Sequence, residues 1–212
     1  MKIFLQLIIL TLANFSQLAY ALTSDEKFYA GAELGIPISS NQESLFAQGL
    51  TSRLGGSASA TESGMVLTGR IFGGYKLLEN MDIEIGVFQS TENSLQFNGA
   101  SPRIGSYSGS SHATVFGANI ATLIRPTSAS GWHQGFLRLG GHWARLETTS
   151  TITGINSTTT INTGSGMLYG LGYDGSINKN TDWRLQITRS QRLAGNSGNN
   201  TSIISFGIIK KF

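Results

Sequence analysis

FLRLGGHWAR, residues 136–145, is the stretch of sequence that decides the fold class of this chain. Leu137, Leu139 and Trp143 alternate in it with a second set that contains Arg138 and His142. Successive side chains of a strand point to opposite sides of a sheet, so a period of two residues indicates a β-strand with two unlike faces. The stretch is therefore predicted to be a strand with one apolar face and one face that carries charge.

Seven other segments alternate in the same way. The eight predicted strands are residues 28–38, 65–77, 82–87, 111–126, 133–147, 166–177, 181–193 and 202–212. The fourth of them is apolar on both faces, so the sequence leaves its register open. The others combine an apolar face with a face of glycine and charged or polar residues, which suits a narrow polar interior better than a wet outer surface.

The connections between these strands alternate between short and long. The short ones, residues 78–80, 127–130 and 178–180, consist mainly of turn-forming residues. The long ones, about residues 39–64, 92–110, 148–163 and 194–200, are rich in Ser, Thr, Gly and Asn, and residues 148–163 are expected to be mobile. This organisation predicts an all-β fold, an eight-stranded antiparallel transmembrane β-barrel with short periplasmic turns and long extracellular loops.

The amino end has the features of a secretory signal peptide. Lys2 precedes an apolar core at residues 3–10, and Ala19-Tyr20-Ala21 is a small-x-small cleavage site. After residue 21 no uninterrupted apolar run approaches the roughly 20 residues of a membrane helix. We expect residues 1–21 to be cleaved and residues 22–212 to form one multi-pass barrel domain in the outer membrane of a Gram-negative bacterium.

The composition narrows the classes of partner. The chain has no cysteine, 13% charged residues and a formal net charge of +3. A closed barrel needs no disulfide, because its edge strands pair with each other. The weak positive charge argues against nucleic acid as a partner, since nucleic-acid-binding domains carry a clustered basic face. The expected partners are outer-membrane lipid and the phosphates of lipopolysaccharide, together with any host or surface ligand that contacts the loops.

Three stretches, residues 136–145, 172–184 and 83–86, resemble the fifth strand, sixth hairpin and third strand of the OmpA-type transmembrane domain. The resemblance implies a lumenal ion-pair cluster made by Glu84, Arg138, Asp174 and Arg184. A second argument, which does not depend on the resemblance, also places the two arginines inside: an arginine on the lipid face at the bilayer midplane costs about 2–4 kcal/mol. The inward lysine of the fourth strand in this family has no counterpart in the neighbourhood of Thr122.

The carboxyl end extends the resemblance. Members of this family end in phenylalanine with an aromatic residue two positions earlier, a signal read by the barrel-assembly machinery. The matching residues are Phe212, Ile208, Phe206 and Ile204, and Lys210 stands where the aromatic residue is usual. We expect the barrel domain only, without the peptidoglycan-binding domain of larger members.

The sequence offers little that would carry chemistry. The three histidines, His112, His133 and His142, lack the His-x-Ser spacing of barrels that deacylate lipids, and no metal-ligand spacing is present. We therefore expect no enzymatic activity and no cofactor, and a structural or surface-interaction role that presents four extracellular loops. The alternatives are a narrow ion channel or porin, an adhesin or serum-factor-binding surface protein, and an exported soluble β-barrel.

Overall fold

The computed structural model describes residues 27–38, 42–126, 134–154 and 157–212. The predicted signal peptide at residues 1–21 and the predicted turn at residues 127–130 lie outside these ranges. The described strands are β1 (Phe28–Ile38), β2 (Ser57–Ser63), β3 (Thr68–Leu78), β4 (Met81–Ser90), β5 (Asn93–Ser101), β6 (Gly105–Ile124), β7 (Gly135–Ile152), β8 (Thr158–Asn178), β9 (Thr181–Ser190) and β10 (Thr201–Lys211). A helix, α1 (Gln42–Leu54), and a 3-10 turn, Leu193–Gly195, complete them.

Eight of the described strands close into a ring in the order β1-β3-β4-β6-β7-β8-β9-β10. Every neighbouring pair is antiparallel, and β10 returns to pair with β1. The closed ring leaves its strands without an unpaired edge. The predicted eight-stranded antiparallel barrel is confirmed.

The register of the ring fixes its shape. A ladder of paired residues that starts at Arg145 of β7 returns to the same strand at Gly135, ten residues away. It passes through Phe116, Gln89, Gly69, Leu34, Phe206, Leu185 and Tyr173. Eight strands with a shear of ten residues tilt by about 40° and enclose a lumen that side chains fill.

The two faces of the ring strands have the polarity that the sequence pattern predicts. Large apolar side chains lie exposed on the outside, including Leu34, Ile85, Leu171 and Phe206. Charged and small residues lie buried on the inside. The register of β6, which the sequence left open, places Asn119, Ala121 and Leu123 inside and Ile120 and Ile124 outside.

Three of the ring strands continue far beyond the ring, at the end away from the short turns. The last partner of β6 within β4 is Phe116, and the earlier part of β6 pairs instead with β5, which in turn pairs with β2. The far half of β7 pairs with β6 on one side and with the far half of β8 on the other. We call this layer, formed by β2, β5 and the far parts of β6, β7 and β8, the flange.

Two segments that were predicted to be loops are strands of the flange. Residues 92–110 are largely β5, a tight turn and the start of β6, and β7 and β8 occupy most of the predicted mobile loop at 148–163. The prediction was wrong because Ser, Thr, Gly and Asn dominate these segments, which hides the short alternation of Leu95 and Phe97 with Ser94 and Gln96 in β5. Threonine is nevertheless a strand former, and residues 158–160 are all threonine.

The predicted loop at residues 39–64 contains α1 and β2. Phe46, Leu50 and Leu54 recur at four-residue spacing, which places them on one side of the helix. The ring of Phe46 packs on that of Phe97 in β5, with centroids 5.4 Å apart. The Glu43 carboxylate accepts a 2.6 Å hydrogen bond from the backbone N–H of Glu62 and ties the start of α1 to β2. No described helix has the length and hydropathy that a membrane span requires.

Gly140 and Gly141 provide a paired test of the tight packing between ring strands. A β-carbon on Gly140 would fall far inside van der Waals distance of the Ile120 carbonyl oxygen, whereas one on Gly141 would lie 3.6 Å from the Gly166 carbonyl oxygen. We expect Gly140→Ala to lower the free energy of unfolding by about 1–3 kcal/mol, as overpacking does. Urea titration of the refolded barrel, followed by its heat-dependent gel shift, measures this. Gly141→Ala is the control, and equal urea midpoints for the two variants would contradict the packing argument.

Candidate functional site: the charged lumen

The inside of the ring holds a cluster of buried charges. The four residues predicted for it all lie there, with exposed fractions of 0% for Glu84 and Arg184, 1% for Arg138 and 8% for Asp174. Each sits on the inward face of its strand, and the residues directly before and after it face outward. The structure brings all four into one connected network of ion pairs.

Glu84 is the centre of this network. Its Oε2 accepts a 2.9 Å hydrogen bond from Arg70 Nη2 and lies 3.7 Å from Arg138 Nη2. Its Oε1 accepts hydrogen bonds from Arg184 Nη1 and, at 3.1 Å, from the Tyr29 hydroxyl. Glu84 lies on β4 and Arg184 on β9, which are four strands apart in either direction around the ring. Their hydrogen bond therefore crosses the full width of the lumen.

Arg184 extends the network toward the end with the short turns. It donates from Nε and Nη2 to the two oxygens of Asp174, at 2.7 and 3.0 Å, a bidentate pair. Arg125, just after β6, donates from Nη2 to Asp174 at 2.8 Å and to Asp82 at 3.1 Å. A further pair, Lys211 with Asp182 at 2.6 Å, lies next to these on β10 and β9.

Four further members of the network, like Tyr29, Asp82 and Arg125 above, were not among the predicted site residues: Glu33, Arg70, Asn119 and Gln186. Glu33 Oε2 accepts from Arg70 Nη1 at 3.3 Å and from Gln186 Nε2 at 2.8 Å. Asn119 Oδ1 accepts from Arg70 Nε and from Arg138 Nη2, at 3.3 and 3.1 Å. The alternation in β1 and β3 already placed Glu33 and Arg70 on the inward face, so their sequence signal was available. Asn119 had none, because the register of its strand was open.

Two aromatic rings separate the cations of the network. The Phe72 ring lies 4.3 Å from the guanidinium carbon of Arg70 and 5.2 Å from that of Arg184. The Phe136 ring lies 4.7 Å from the guanidinium carbon of Arg184 and 5.2 Å from that of Arg125. Cation–π contacts of this kind stabilise guanidinium groups that water cannot reach.

The charges of the lumen balance. Within the described residues, its ion pairs join five acidic and five basic side chains: Glu33, Asp82, Glu84, Asp174 and Asp182 with Arg70, Arg125, Arg138, Arg184 and Lys211. Buried charges persist only when they are paired and hydrogen-bonded. The arrangement is that of a plug that holds the strands in register.

A cavity of about 60 Å³ lies on the flange side of the plug. Its lining includes Arg138, Asn119, His142 and Thr188. A polar cavity of this size is large enough to hold ordered water. Arg138 and Glu33, members of the plug, form part of its lining.

His112 contacts both Ser94 and Glu92 at the base of the flange. Its Nδ1 lies 2.9 Å from Ser94 Oγ and 2.8 Å from Glu92 Oε1. A nucleophile–base–acid triad requires the serine and the acid on opposite ring nitrogens, so that one accepts while the other donates. Here both partners share Nδ1, and the side chains of His112 and Glu92 are exposed to 41% and 56%. His142 lies in the lumen, and His133 lies outside the described residues.

The predicted insertion signal lies on the outside of β10. Ile204, Phe206 and Ile208 are exposed to 46%, 54% and 52%, and Lys210 follows them on the same face. The backbone N–H of Phe212 donates a 3.0 Å hydrogen bond to the Phe28 carbonyl oxygen, so the last residue also helps to close the ring.

No protein-family model and no curated protein matches this chain. Among solved structures, the chain is similar to Neisserial surface protein A at 15% identity and a TM-score of 0.44, over 87% of this chain and 97% of that one. It is similar to the Yersinia pestis attachment invasion locus protein Ail, solved with the heparin analogue sucrose octasulfate, at 10% identity and a TM-score of 0.45, over 88% and 99%.

The N-terminal β-barrel domain of Pseudomonas aeruginosa OprF is a third similar structure, with 10% identity and a TM-score of 0.39, over 88% of this chain and 98% of that domain. At these scores the similarity is limited. The fold described above rests on the pairing of the strands themselves.

Removing the charge of Glu84 tests whether the network holds the barrel together. Glu84→Gln keeps the shape of the side chain but leaves Arg70, Arg138 and Arg184 facing a neutral amide. Breaking a buried ion pair from one side costs about 3–5 kcal/mol, so we expect the free energy of unfolding to fall by that amount. Urea unfolding in micelles, followed by tryptophan fluorescence, measures it.

Glu79→Gln is the matched control, because Glu79 is exposed in the turn between β3 and β4. This variant should stay within about 0.5 kcal/mol of the unmodified protein, as surface substitutions do. If Glu84→Gln behaves like Glu79→Gln, the network does not stabilise the barrel.

Proposed function

We propose that this chain is an outer-membrane β-barrel protein of a Gram-negative bacterium, with a structural and surface-interaction role. In this proposal the ring spans the membrane with its turns in the periplasm. The lumen is closed by ion pairs, and the flange with α1 stands outside the cell as the interaction surface. The observation that carries the proposal is the apolar exterior of the ring.

That exterior has the polarity and the height that a bilayer requires. The eleven residues of β1, at about 3.3 Å each and tilted by about 40°, rise about 25 Å along the barrel axis. This matches the apolar band of outer-membrane barrels, which is about 25 Å tall. Exposed apolar side chains of this extent would make a water-soluble monomer prone to aggregation.

Aromatic side chains border the apolar band. At the end with the short turns, Tyr75 packs on Phe28 with ring centroids 4.7 Å apart, and Tyr173 packs on Trp183 at 5.7 Å. Trp143, 46% exposed, lies toward the flange end. Rings at both levels supply the aromatic girdles by which such barrels settle at the two interfaces.

Two basic side chains support contact with lipopolysaccharide. Arg145, two residues beyond Trp143, and Arg189, at the far end of β9, are exposed on the outer face of the ring near the flange. At that level a guanidinium would meet the headgroups of the outer leaflet, where it can pair with phosphate. Arg145 also lies 3.2 Å from Glu147.

Cysteine labelling tests the location and orientation together, because the natural chain has no cysteine. We expect Gln48→Cys on α1 to react with a membrane-impermeant maleimide on intact cells, whereas Lys179→Cys, in the turn between β8 and β9, should react only after lysis. The labelled protein should remain in the outer-membrane fraction, with a mass that begins at Leu22 and a gel band that shifts on boiling. Release of a monomer by osmotic shock without detergent would identify an exported soluble barrel instead.

Planar-bilayer recording tests the sealed lumen against the channel alternative. The refolded barrel should show no discrete conductance steps, because the Glu84–Arg184 bond crosses the lumen. Arg138→Ala should remain silent too, since it widens the cavity and leaves that bond in place. Discrete steps in the unmodified protein that change in Arg138→Ala would establish a narrow channel.

A further inference from the structure

A groove of about 430 Å³ lies between α1 and the flange. One wall is the side of α1 that carries Phe46, Leu50 and Leu54, and the opposite wall includes Phe97 of β5 and Ile152 of β7. Its volume falls within the range of small-molecule sites, roughly 300–1,000 Å³, and such sites are mainly apolar with few polar groups.

The residues that line this groove include one charged side chain, which is cationic. Arg53, in the last turn of α1, is exposed and lines the groove beside Leu54. It makes no ion pair with another residue in the described part of the chain. The polar neighbour across the groove is Ser150, whose hydroxyl lies 3.0 Å from that of Ser111. A ligand that fits these walls has an apolar body and one anionic end.

The groove lies beyond the reach of the bilayer. Phe97 pairs with Gly109, and Gly109 pairs with Ile152, seven residues along β6 from Phe116, where β4 ends its pairing. Seven residues of a strand span about 23 Å along the strand. A lipid whose headgroup is held at the membrane surface therefore cannot place its chain here, and the ligand has to arrive from the aqueous side.

We infer that this groove binds a free single-chain anionic amphiphile of the fatty-acid class. The chain lies between Phe46, Leu50 and Phe97, and the carboxylate pairs with the Arg53 guanidinium. This inference rests on the proposed function, which places the flange outside the cell. It gives α1 a role that the barrel itself does not require, since within the described residues α1 packs mainly on β2 and β5 of the flange.

Gly49 provides a way to fill the groove without disturbing the fold. It lines the groove, and a β-carbon on it would meet no atom within 4 Å. Replacing a helical glycine also favours the helix, by up to about 1 kcal/mol for a good helix former. Gly49→Trp therefore blocks the groove while α1 persists. Gln48→Trp is the matched control, because Gln48 is the neighbouring exposed residue of α1 and does not line the groove.

The experiment uses the mature barrel in phosphatidylcholine nanodiscs and the fluorescent fatty acid 11-(dansylamino)undecanoate, with empty nanodiscs as the background. We expect a saturable signal of one site per barrel, lost in Gly49→Trp and retained in Gln48→Trp. Arg53→Gln should weaken the apparent Kd by about two- to fivefold, the range of an exposed ion pair. Arg103→Gln, at an exposed arginine outside the groove, should leave it unchanged.

A dansyl-labelled phosphatidylethanolamine held in the same nanodiscs distinguishes bilayer lipid from free amphiphile and should give no barrel-dependent signal. A signal no greater than that of empty nanodiscs, or a saturable site that survives Gly49→Trp, would overturn the inference. So would a signal from the bilayer lipid in place of the fatty acid. Insertion and the gel shift on boiling report on the barrel separately, so a failed groove and a failed membrane assignment give different results.

Discussion

The structure depends on one ion pair that crosses the lumen, between Glu84 of β4 and Arg184 of β9. These strands lie opposite each other in the ring. A ring of eight strands with a shear of ten has a radius of about 8 Å, so two long side chains from opposite walls meet near its axis. The side chains of Glu33, Arg70, Arg138 and Asp174 each form an ion pair with one of its two partners.

The same network specifies the register of the strands. A slip of one residue would exchange the two faces of a strand and turn an arginine toward the apolar exterior. Arg138 stands between Leu137 and Leu139, and Arg184 between Trp183 and Leu185, so a slip would also bury apolar side chains against the charges. In a lumen filled with aliphatic side chains, such a slip would cost much less free energy. The balanced charges therefore select one register for the closed ring.

The sequence predicted this part of the molecule well because lipid outside and charge inside produce the sharpest alternation that a strand can have. Glu84, Arg138, Asp174 and Arg184 could be placed for that reason. Asn119 could not, since Ala, Ile and Leu flank it on both faces of β6. The flange was missed for a related cause: Ser, Thr, Gly and Asn dominate its strands, and the few apolar residues of its inner face, such as Phe97 and Ile152, give only a short alternation. The spacing of Phe46, Leu50 and Leu54 was a readable sign of α1.

The groove exists because the surroundings of the strands change from lipid to water at the rim of the ring. Within the ring, an inward side chain meets partners from the opposite wall, and the space fills. Above the rim β6, β7 and β8 continue, but β1, β3, β9 and β10 do not rise with them, so the part of the inner face that carries Phe97 and Ile152 has no strand opposite it. Phe97 and Ile152 lie on that face and need an apolar cover. Helix α1 is long enough to cover Phe97 with Phe46 but leaves the space toward Ile152 open, and an apolar chain that enters it completes the packing that the barrel below achieves with its own side chains.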